Sequence, residues 1–456
     1  MTDDPIVGNL MRHQSRIIMN MISPQLDQPS LYAAFDVFPS AKGSATHIHH
    51  AARHLFEFKQ GGLLFALGND VLPNYQEDKG VEIIRFSRPV PNFLRRTMQF
   101  GGHLASCLSA QAEHLKICQF RDPWSGIPIL AQNDRRYHTV YEVNGLPSIE
   151  LPALYPKLGQ RTQAKIRALE QHCYMQSDRV VTPSQHIAQH LVAQGVPESK
   201  ISVIANGADS SQRCAKNPHA PERYLLYFGA LQPWQGVDVL LKAFAQLADL
   251  TTWHLVICSS IKSAKEQPYR KLAEKLGVAE RVIWQSQLPK DQLASWLQHA
   301  YLTVAPLTTC ERNVQQGCCP LKILESMAVG VPVVASNLPV VQEIISSPLL
   351  GRLVPPDRPS DLARAIRVLI ESPEQVAHIG KQARRHIQSH FSWQHNQDKT
   401  RQMYQDHHCQ GGAPAQQAVL SIGQDYYDAF DYQSFDGEPG GHMDADAELG
   451  ASFFDS

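Results

Sequence analysis

Residues 317–345, GCCPLKILESMAVGVPVVASNLPVVQEII, combine residue types that could bind a phosphorylated ligand. Pro320 can take the first position of a helix predicted over 320–329, because its missing N–H costs nothing there. A helix that starts straight out of a glycine-containing loop presents free N–H groups and a positive dipole end to an anion. Glu325, on the second turn, can reach a hydroxyl-bearing group beside that anion, and a carboxylate that accepts two hydroxyl bonds commonly holds a ribose. The stretch therefore predicts a nucleotide-binding site.

Two cations and two cysteines lie close to this predicted helix start. Lys322, one turn before Glu325, is interpreted either as a point charge for a phosphate or as a solvated helix residue. Arg312, in the loop that leads there, can supply the same charge, although loop arginines are usually exposed. Cys318 and Cys319 are adjacent, and since strained vicinal disulfides are rare, we expect two small buried residues that line the loop.

Further candidates follow predicted strands in the first half of the chain, where the ligands of open α/β sheets gather. Gly43 and Ser44 either allow a close approach of the backbone to a phosphate or sugar, or form an ordinary turn. The segment 121–130, RDPWSGIPIL, either borders an acceptor pocket or is a packed loop. In the long loop YEVNGLPSIELPALYP, Glu142 and Asn144 can reach a sugar, but one carboxylate without a partner is not an acid–base mechanism.

The histidine-rich run THIHH, residues 46–50, is considered as a metal site. His47 and His50 are three residues apart, with His49 beside them on a predicted helix. Because no acid or cysteine completes a ligand set, we interpret these histidines as structural.

Short β-rich runs alternate with helical patterns almost throughout the chain and must position these residues. Strands are predicted at Arg16–Ile22, Gly62–Leu67, Val81–Ser87, Leu115–Arg121, His138–Val143, Asp178–Thr182, Lys200–Ile204, Tyr224–Leu231, Trp253–Ser259, Arg281–Gln285, Tyr301–Pro306, Val331–Ser336 and Gly351–Val354. Helices are predicted at Thr46–Phe58, Thr162–Gln176 and Gln185–Ala193, and near 236–248, 266–276, 290–299, 320–329, 361–371 (capped by Ser360) and 374–390. Alternating βα units imply parallel sheets covered on both faces.

The chain of 456 residues is too long for one hydrophobic core, and its length favours two or three domains. With 43% hydrophobic and 19% charged residues, its composition is typical of a soluble globular protein. No apolar run approaches the ~18 residues of a membrane span, and the N-terminus has no long apolar stretch, so neither a spanning helix nor a secretory signal is expected. The nine cysteines, an odd number, then indicate reduced cytosolic thiols.

Composition also divides the chain into segments. The polar, non-periodic stretch between Asn206 and Arg223 predicts a break between two doubly wound domains. We predict an N-terminal domain over 16–205, a linker over 206–222 and a C-terminal domain over 223–390.

The net charge of −1 hides an asymmetry between the body of the chain and its last 50 residues. Residues 407–456 contain seven Asp, two Glu and no Lys or Arg, and their richness in Gly and Gln predicts a disordered acidic tail. The remaining 406 residues hold all 42 Lys and Arg against 34 acids. Such a mildly basic body suits an anionic ligand or an anionic surface, but it is not basic enough to indicate nucleic acid.

Six segments resemble segments of the family 4 retaining glycosyltransferases of the GT-B fold and occur in the same order along the chain. The resemblance extends over nearly all of residues 16–405. The segment 317–345 is similar to the family's donor-nucleotide site. The others are KGSATHI (42–48), DRVVTPSQHIAQHLVAQGVPESKISVIANGAD (178–209), YFGALQPWQGVDVLLKAF (227–244), GRLVPPDRPSDLARAI (351–366) and FSWQHNQDKTRQMY (391–404). The resemblance implies an α/β fold with two Rossmann-like domains that face a central cleft, and a final helix, 391–405, that crosses back to the first domain.

The resemblance also shows where this chain departs from the family. A Glu that usually contacts the donor sugar, eight residues before the nucleotide-binding Glu, is Gly317 here. The Arg and Lys that usually hold the diphosphate are replaced by Ala230 and Gln235. A His that often contacts the transferred sugar has its nearest counterpart in Asn144. Glu325 is the member of the usual set that is retained.

From these residues we predict a donor site and two catalytic residues. The predicted donor-binding residues are Gly43, Ser44, Gly229, Gln235, Gly317, Cys318, Cys319, Pro320, Leu321 and Glu325. Lys322, as a substitute for the missing diphosphate cations, and Asn144 are predicted to be catalytic. The resemblance implies that no metal is needed and that the nucleotide-sugar donor is a substrate, with no further cofactor.

The predicted function is transfer of a sugar, with retention, from a nucleotide-sugar donor to a hydroxyl of a glycan, lipid-linked or small-molecule acceptor, in polysaccharide or glycoconjugate synthesis. The alternative is a catalytically weakened GT-B protein that binds a nucleotide or glycan as a partner subunit. A dinucleotide-dependent oxidoreductase is disfavoured, because the chain lacks G-x-G-x-x-G with a downstream acid. The protein is expected in the cytoplasm, with peripheral contact to an anionic inner membrane face as an option, and without a nucleic acid partner.

Overall fold

A computed structural model describes residues 28–40, 42–111, 113–132, 135–210, 212–261 and 263–409. These residues form two α/β domains, each with its own sheet, which confirms the predicted fold class. The strand predicted at Arg16–Ile22 and all but three residues of the predicted tail lie outside the described residues.

The N-terminal domain is built on an eight-stranded sheet. Its strands are β1 Ser30–Val37, β2 Gly62–Leu67, β3 Tyr75–Asp78, β4 Val81–Phe86, β5 Ile117–Phe120, β6 His138–Glu142, β7 Arg179–Thr182 and β8 Ile201–Val203. They lie in the order β3-β4-β2-β1-β5-β6-β7-β8. All neighbours are parallel except β3, which pairs antiparallel with β4.

Helices cover both faces of this sheet, so that β1 and β2 are buried almost along their whole length. The helices are α1 Gly43–Lys59, α2 Phe93–Gln111, α3 Pro123–Leu130, α4 Pro147–Leu154, α5 Gln160–Gln176 and α6 Gln185–Ala193. The carboxyl ends of the parallel strands lie along one edge of the sheet, and the candidate residues follow those ends.

The first half of the chain contains elements that the sequence did not predict. The central strand β1 is one, and β3, α2 and α4 are others. The segment 121–130, expected as a loop, contains α3, which begins because the Asp122 side chain accepts a hydrogen bond from the Ser125 N–H. Gly126 is required there, since an added Cβ would lie 2.4 Å from the Phe120 ring. Trp124 is only 4% exposed, so this segment is packed and does not border a pocket through that side chain.

The C-terminal domain has a six-stranded, fully parallel sheet. Its strands are β9 Arg223–Gly229, β10 Trp253–Ser259, β11 Val282–Ser286, β12 Leu302–Ala305, β13 Val333–Ser336 and β14 Arg352–Val354. They lie in the order β11-β10-β9-β12-β13-β14. Its helices are α7 Val237–Ala245, α8 Gln267–Lys275, α9 Lys290–Gln298, α10 Leu321–Ala328, α11 Pro339–Gln342, α12 Pro359–Ile370 and α13 Pro373–His390.

All the predicted strands and helices of this half are present, with ends that differ from the prediction by a few residues at most. One capping prediction is wrong. Ser360 lies inside α12, whose N-cap is Arg358, and it therefore does not begin the helix.

The last helix, α14 Trp393–Cys409, returns to the N-terminal domain as predicted. The Trp393 ring stacks on His50 of α1 with 3.7 Å between centroids. Further along, the Tyr404 ring lies 5.1 Å from Phe58 of the same helix. The helix includes residues 407–409, which the sequence had assigned to the tail.

Between the two sheets, the described residues of 204–222 contain neither helix nor strand. The predicted domain boundaries stay predictions. None of the helices in the described part of the chain is both long and apolar enough to cross a membrane.

Candidate donor site

The loop before α10 and the first turn of that helix form the centre of the candidate site. Gly317 has a φ of +86°, and the backbone is extended at Pro320, which is the N-cap and not the first helical residue that we predicted. Cys318 and Cys319 are buried free thiols. The helix then starts at Leu321, one residue later than predicted, so its first N–H groups point back over this loop.

The ammonium of Lys322 lies against the loop that follows β9. Its Nζ donates to Gln235 Oε1 at 2.5 Å and to the Tyr227 hydroxyl at 3.2 Å, and it lies 4.2 Å from the centroid of the Tyr227 ring. A Cβ added to Gly229 would lie 3.4 Å from the same nitrogen. Lys322 is therefore an enclosed cation, and its interpretation as a solvated helix residue is wrong.

The surroundings of α10 shift the pKa values of both its charged residues. Burial lowers the pKa of Lys322 to about 7, and the positive charge of Arg312 acts in the same direction. Glu325 is partly exposed; burial raises its pKa, while Lys290 and Lys322 oppose that change. Within the described part of the chain, no side chain or backbone group donates a hydrogen bond to the Glu325 carboxylate, so its oxygens can accept from a ligand.

Gly317 leaves no room for a side chain. An added Cβ would lie 2.8 Å from His186 Cδ2 and 2.9 Å from Val340 Cγ1, closer than Cβ atoms approach other atoms in real structures. His186 belongs to α6 of the N-terminal domain, and Val340 belongs to α11. The position that the resemblance assigns to a sugar-contacting Glu is therefore occupied by a packing contact between the domains.

Arg312 is not the exposed loop residue that we expected. Its side chain is 18% exposed. The residue is the first of a π-helical turn, Arg312–Gln316. Its Nε donates to Glu150 Oε1 at 3.2 Å. Gln316 donates to the same oxygen at 2.9 Å and accepts from the Leu146 N–H at 2.9 Å. Because Glu150 and Leu146 belong to the N-terminal domain, this turn ties the loop of residues 317–320, called the donor loop below, to that domain.

A second polar contact between the domains lies at the start of α6. The Glu343 carboxylate accepts from the N–H groups of Gln185 at 2.9 Å and His186 at 2.8 Å. His186 Nε2 lies 2.5 Å from the carbonyl oxygen of Val314. The first N–H groups of α6, which have no partner inside the helix, are thereby satisfied from the other domain.

Gly43 and Ser44 begin α1 opposite the donor loop. A Cβ added to Gly43 would lie 3.3 Å from Leu321 Cδ1, so the starts of α1 and α10 are neighbours. The carbonyl oxygen of Ser44 accepts from Arg121 at 3.1 Å, which holds this loop on the N-terminal sheet. The structure thus brings together the two loops that the sequence predicted to bind the donor.

Glu142 is buried and does not reach the cleft as the sequence suggested. It is 3% exposed, and its carboxylate accepts from Tyr32 at 3.1 Å, Gln119 at 2.8 Å and the Asn144 amide. Burial raises the pKa of Glu142, but the His47 contact, the positive charge of Arg121 and the hydrogen bond from Gln119 bring it down to about 2. Asn144 is partly exposed beside it, and its catalytic role stays a prediction.

The histidines of residues 46–50 take part in packing and in this network. His47 Nε2 lies 2.5 Å from Glu142 Oε1, and His49 is buried. Burial lowers the pKa of His50, the residue stacked on Trp393, to about 2. In the described ranges there is no group of three or more His, Cys, Asp or Glu that could hold a metal ion.

Sequence reasoning missed three residues of this site, which are Tyr227, Glu150 and Gln316. Glu150 and Gln316 are 166 residues apart and meet only through the fold. Tyr227 lies in a buried strand, where its contact with Lys322 leaves no trace in the pattern. Its type was the available signal, because a buried phenolic hydroxyl usually finds a hydrogen-bond partner.

Two family models match the chain, one for each half. The model described as "Glycosyl transferases group 1" matches residues 210–386, and the model described as "Glycosyltransferase Family 4" matches residues 41–212. Together they span the candidate site from Gly43 to Glu325.

Curated relatives include D-inositol 3-phosphate glycosyltransferases. The one from Rhodococcus opacus (strain B4) is 26% identical over 301 residues, which cover 62% of this chain and 63% of that protein. The one from Thermobispora bispora is 27% identical over 292 residues, with coverage of 60% and 63%. The chain thus matches less than two thirds of the length of these relatives.

Solved structures share the architecture. Sucrose-phosphate synthase from Thermosynechococcus elongatus has a TM-score of 0.70 at 18% identity, covering 84% of this chain and 100% of that one. HepE from Anabaena, in complex with UDP-glucose, has a TM-score of 0.63 at 16% identity, with coverage of 83% and 100%. WaaG, a glycosyltransferase involved in lipopolysaccharide biosynthesis, has a TM-score of 0.63 at 14% identity, covering 82% and 99%. These likenesses show the GT-B fold. The two family models, which together match residues 41–386, show that the chain belongs to the glycosyltransferases of family 4 and group 1.

Proposed function

We propose that the chain transfers a sugar, with retention of anomeric configuration, from a nucleotide-sugar donor to an acceptor hydroxyl. The observation that supports this most is the Lys322 ammonium, enclosed by Tyr227, Gln235 and Gly229 at the start of α10. The departing nucleoside diphosphate gains negative charge as the glycosidic bond breaks. A cation that is already positioned in an enclosed site stabilises that charge without having to reorganise.

The remaining donor contacts follow from the same helix. The first N–H groups of α10 can face the diphosphate, and the unsatisfied Glu325 carboxylate, one turn later, can accept the two ribose hydroxyls. Gly43 lies against Leu321, so the start of α1 adjoins the proposed diphosphate site. HepE, one of the structural neighbours, binds UDP-glucose, which makes UDP-glucose the first donor to test.

Retention is proposed from the family resemblance, and the state of Glu142 agrees with it. Direct displacement with inversion needs a base that faces the acceptor hydroxyl. The Glu142 carboxylate is instead taken up by His47, Tyr32 and Gln119, and it is not available for that role. We likewise propose that Lys322 and the start of α10 supply the positive charge, so that transfer proceeds without an added metal.

For the acceptor and for the location of the protein in the cell, we propose only a class. We propose a role in polysaccharide or glycoconjugate synthesis with a glycan, lipid-linked or small-molecule acceptor, and D-inositol 3-phosphate, named in the relatives, is a first acceptor to test. We propose a cytoplasmic protein, and the mildly basic body supports peripheral contact with an anionic membrane. Sedimentation with phosphatidylserine-containing vesicles, which salt should reverse, tests the membrane contact.

A second candidate function is a GT-B protein with weakened catalysis that binds a nucleotide or glycan as a partner subunit. The crowding at Gly317 favours it, because the sugar-contacting Glu of the family has no space there. Ala230 and Gln235 add to this argument, since both replace cations.

The test is a comparison of binding and turnover. UDP-glucose binding is measured by calorimetry, and UDP release is followed with and without a panel of acceptors. Acceptor-dependent release, with the product's anomeric configuration retained by NMR, supports the transferase. Tight donor binding without release under any acceptor supports the binding protein instead, and an inverted product contradicts retention.

A further inference from the structure

One amide in the segment between the domains contacts both of them. Asn206 is 5% exposed. Its Oδ1 lies 2.6 Å from His47 Nδ1, on helix α1 of the N-terminal domain, and its Nδ2 donates to the Cys319 carbonyl oxygen, in the donor loop, at 3.1 Å. The bond to a carbonyl oxygen fixes the orientation of the amide, because only Nδ2 can donate.

This orientation places the Asn206 oxygen against the His47 ring. The carboxamide oxygen of Asn206 can only accept, so Nδ1 of His47 must carry a hydrogen. On the other side of the ring, Nε2 lies 2.5 Å from Oε1 of Glu142, and an ionised carboxylate can also only accept. The two ring nitrogens of His47 thus lie against oxygen atoms of Asn206 and Glu142, and the ring joins the two side chains.

The crossing helix α14 belongs to the same network. Gln119 donates to Glu142 Oε2 at 2.8 Å and accepts from the Tyr404 hydroxyl at 2.5 Å. Beside Asn206, the Ala208 N–H donates to the Phe391 carbonyl oxygen at 2.8 Å. The amide is thus held at a fixed place between the N-terminal sheet, the crossing helix and the donor loop.

The carbonyl group that Asn206 holds lies at the start of α10, next to the proposed diphosphate site. The Cys319 carbonyl belongs to the peptide bond before Pro320, and Pro320 is the N-cap of α10. A carbonyl oxygen carries partial negative charge. If this peptide plane rotated, it would bring that charge to the helix start where the diphosphate is proposed to bind, against the favourable dipole of the helix.

We propose that Asn206, held by the buried His47–Glu142 pair, positions the donor loop, and that it does so by holding the Cys319 carbonyl away from the diphosphate. The inference rests on the proposed function, because the loop is the proposed diphosphate site. Asn206 and His47 are positioning residues, since they act through Cys319.

The variant Asn206→Asp separates positioning from folding. An ionised aspartate keeps an acceptor for His47 Nδ1–H, but it places a second oxygen against the Cys319 carbonyl oxygen in place of a donor. We expect kcat with UDP-glucose to fall at least about tenfold, while the acceptor KM and the melting temperature stay close to those of the parent. Hydrogen–deuterium exchange of the amides in 318–324 should speed up by a similar factor, with strand β2 unchanged.

The matched control is Asn217→Asp, in the same connecting segment. The Asn217 side-chain oxygen accepts from the His219 N–H at 2.9 Å, a bond that aspartate retains, so exchange and kcat should not change. If Asn206→Asp does not fold, Asn206→Ala, which removes both bonds without repulsion, is measured with the same expectations.

The exchange measurement does not depend on activity, so it separates the two proposals. Faster exchange confined to the donor loop supports positioning even if the parent has no turnover with any donor, a result that would reject the transferase function. Parent-like exchange in the loop overturns the positioning proposal. Faster exchange over the whole chain, with a large loss of melting temperature, also overturns it, because the residue would then be part of the general scaffold.

Discussion

The charge on Lys322 should make donor binding depend on pH. With a pKa of about 7 in the ligand-free protein, the amine is about 91% protonated at pH 6 and about 9% protonated at pH 8. The two phosphate groups of a nucleotide sugar are diesters and do not titrate in this range. A change in affinity between these pH values therefore comes from the protein.

The sign and size of the effect follow from linkage. The diphosphate favours the ammonium form, so it raises the pKa of Lys322 in the complex above its value in the free protein. Affinity is then constant below pH 7 and falls above it until the pKa of the complex is reached. Between pH 6 and pH 8 the protonated fraction drops about tenfold, which corresponds to about 1.4 kcal/mol of binding free energy.

Calorimetry with UDP-glucose at several pH values, in two buffers of different ionisation enthalpy, measures both the affinity and the proton uptake. In Lys322→Ala we expect weaker binding at pH 6, no proton uptake and no pH dependence. Turnover should fall by about 10²–10³, as when one transition-state donor is removed, while uridine binds unchanged. Lys242→Ala is the control, because Lys242 is exposed and paired with Asp238 at 2.8 Å. Parent affinity that is flat from pH 6 to pH 8, or an unchanged pH dependence in Lys322→Ala, would refute the reasoning.

Three other changes test other parts of the structure. Glu325→Ala should weaken UDP binding by about 1–3 kcal/mol, measured by calorimetry, because a charged partner of the ribose is lost; unchanged affinity in the folded variant rules that contact out. Gly317→Ala should lower the free energy of unfolding by about 1–3 kcal/mol, since its Cβ would lie 2.8 Å from His186 Cδ2. Gly330→Ala is the control, because Gly330 also has a positive φ but an added Cβ would lie 3.4 Å from the nearest atom. If both variants lose the same free energy of unfolding in urea, interdomain crowding is not the cause. Removing 410–456, which carry nine acids, should leave the melting temperature unchanged and strengthen binding to anionic vesicles, and a large loss of melting temperature would contradict this.

The C-terminal domain could be predicted from the sequence because its elements follow local rules. Strands such as Trp253–Ser259 are short apolar runs, and helices such as Pro359–Ile370 place apolar residues at the helical period. The N-terminal domain follows them less closely. Its central strand, SLYAAFDV, contains two alanines and an aspartate and does not alternate, because both of its faces are buried. Helix α3 contains Gly126 and Pro128, which favour a loop until the packing against Phe120 is known.

The candidate site was predictable only where it is contiguous in sequence. Glu325 and Lys322 share one helix, so their spacing was enough to place them together. The contacts between the domains could not be predicted, because the partners are far apart along the chain. Gln316 and Glu150 are separated by 166 residues, and Asn206 and His47 by 159, so no local pattern joins them.

We propose that the position of Lys322 explains the neutral residues at the usual cation positions. The resemblance assigns the diphosphate cations to the positions of Ala230 and Gln235, yet Lys322 Nζ is 2.5 Å from Gln235 Oε1. A lysine at 235 would place a second ammonium beside the first, and like charges at such a distance repel strongly where water is scarce. A carboxamide oxygen is a suitable neighbour for one enclosed ammonium. We therefore propose one change, in which Lys322 on α10, beside Gln235, supplies the positive charge that the loop after β9 lacks.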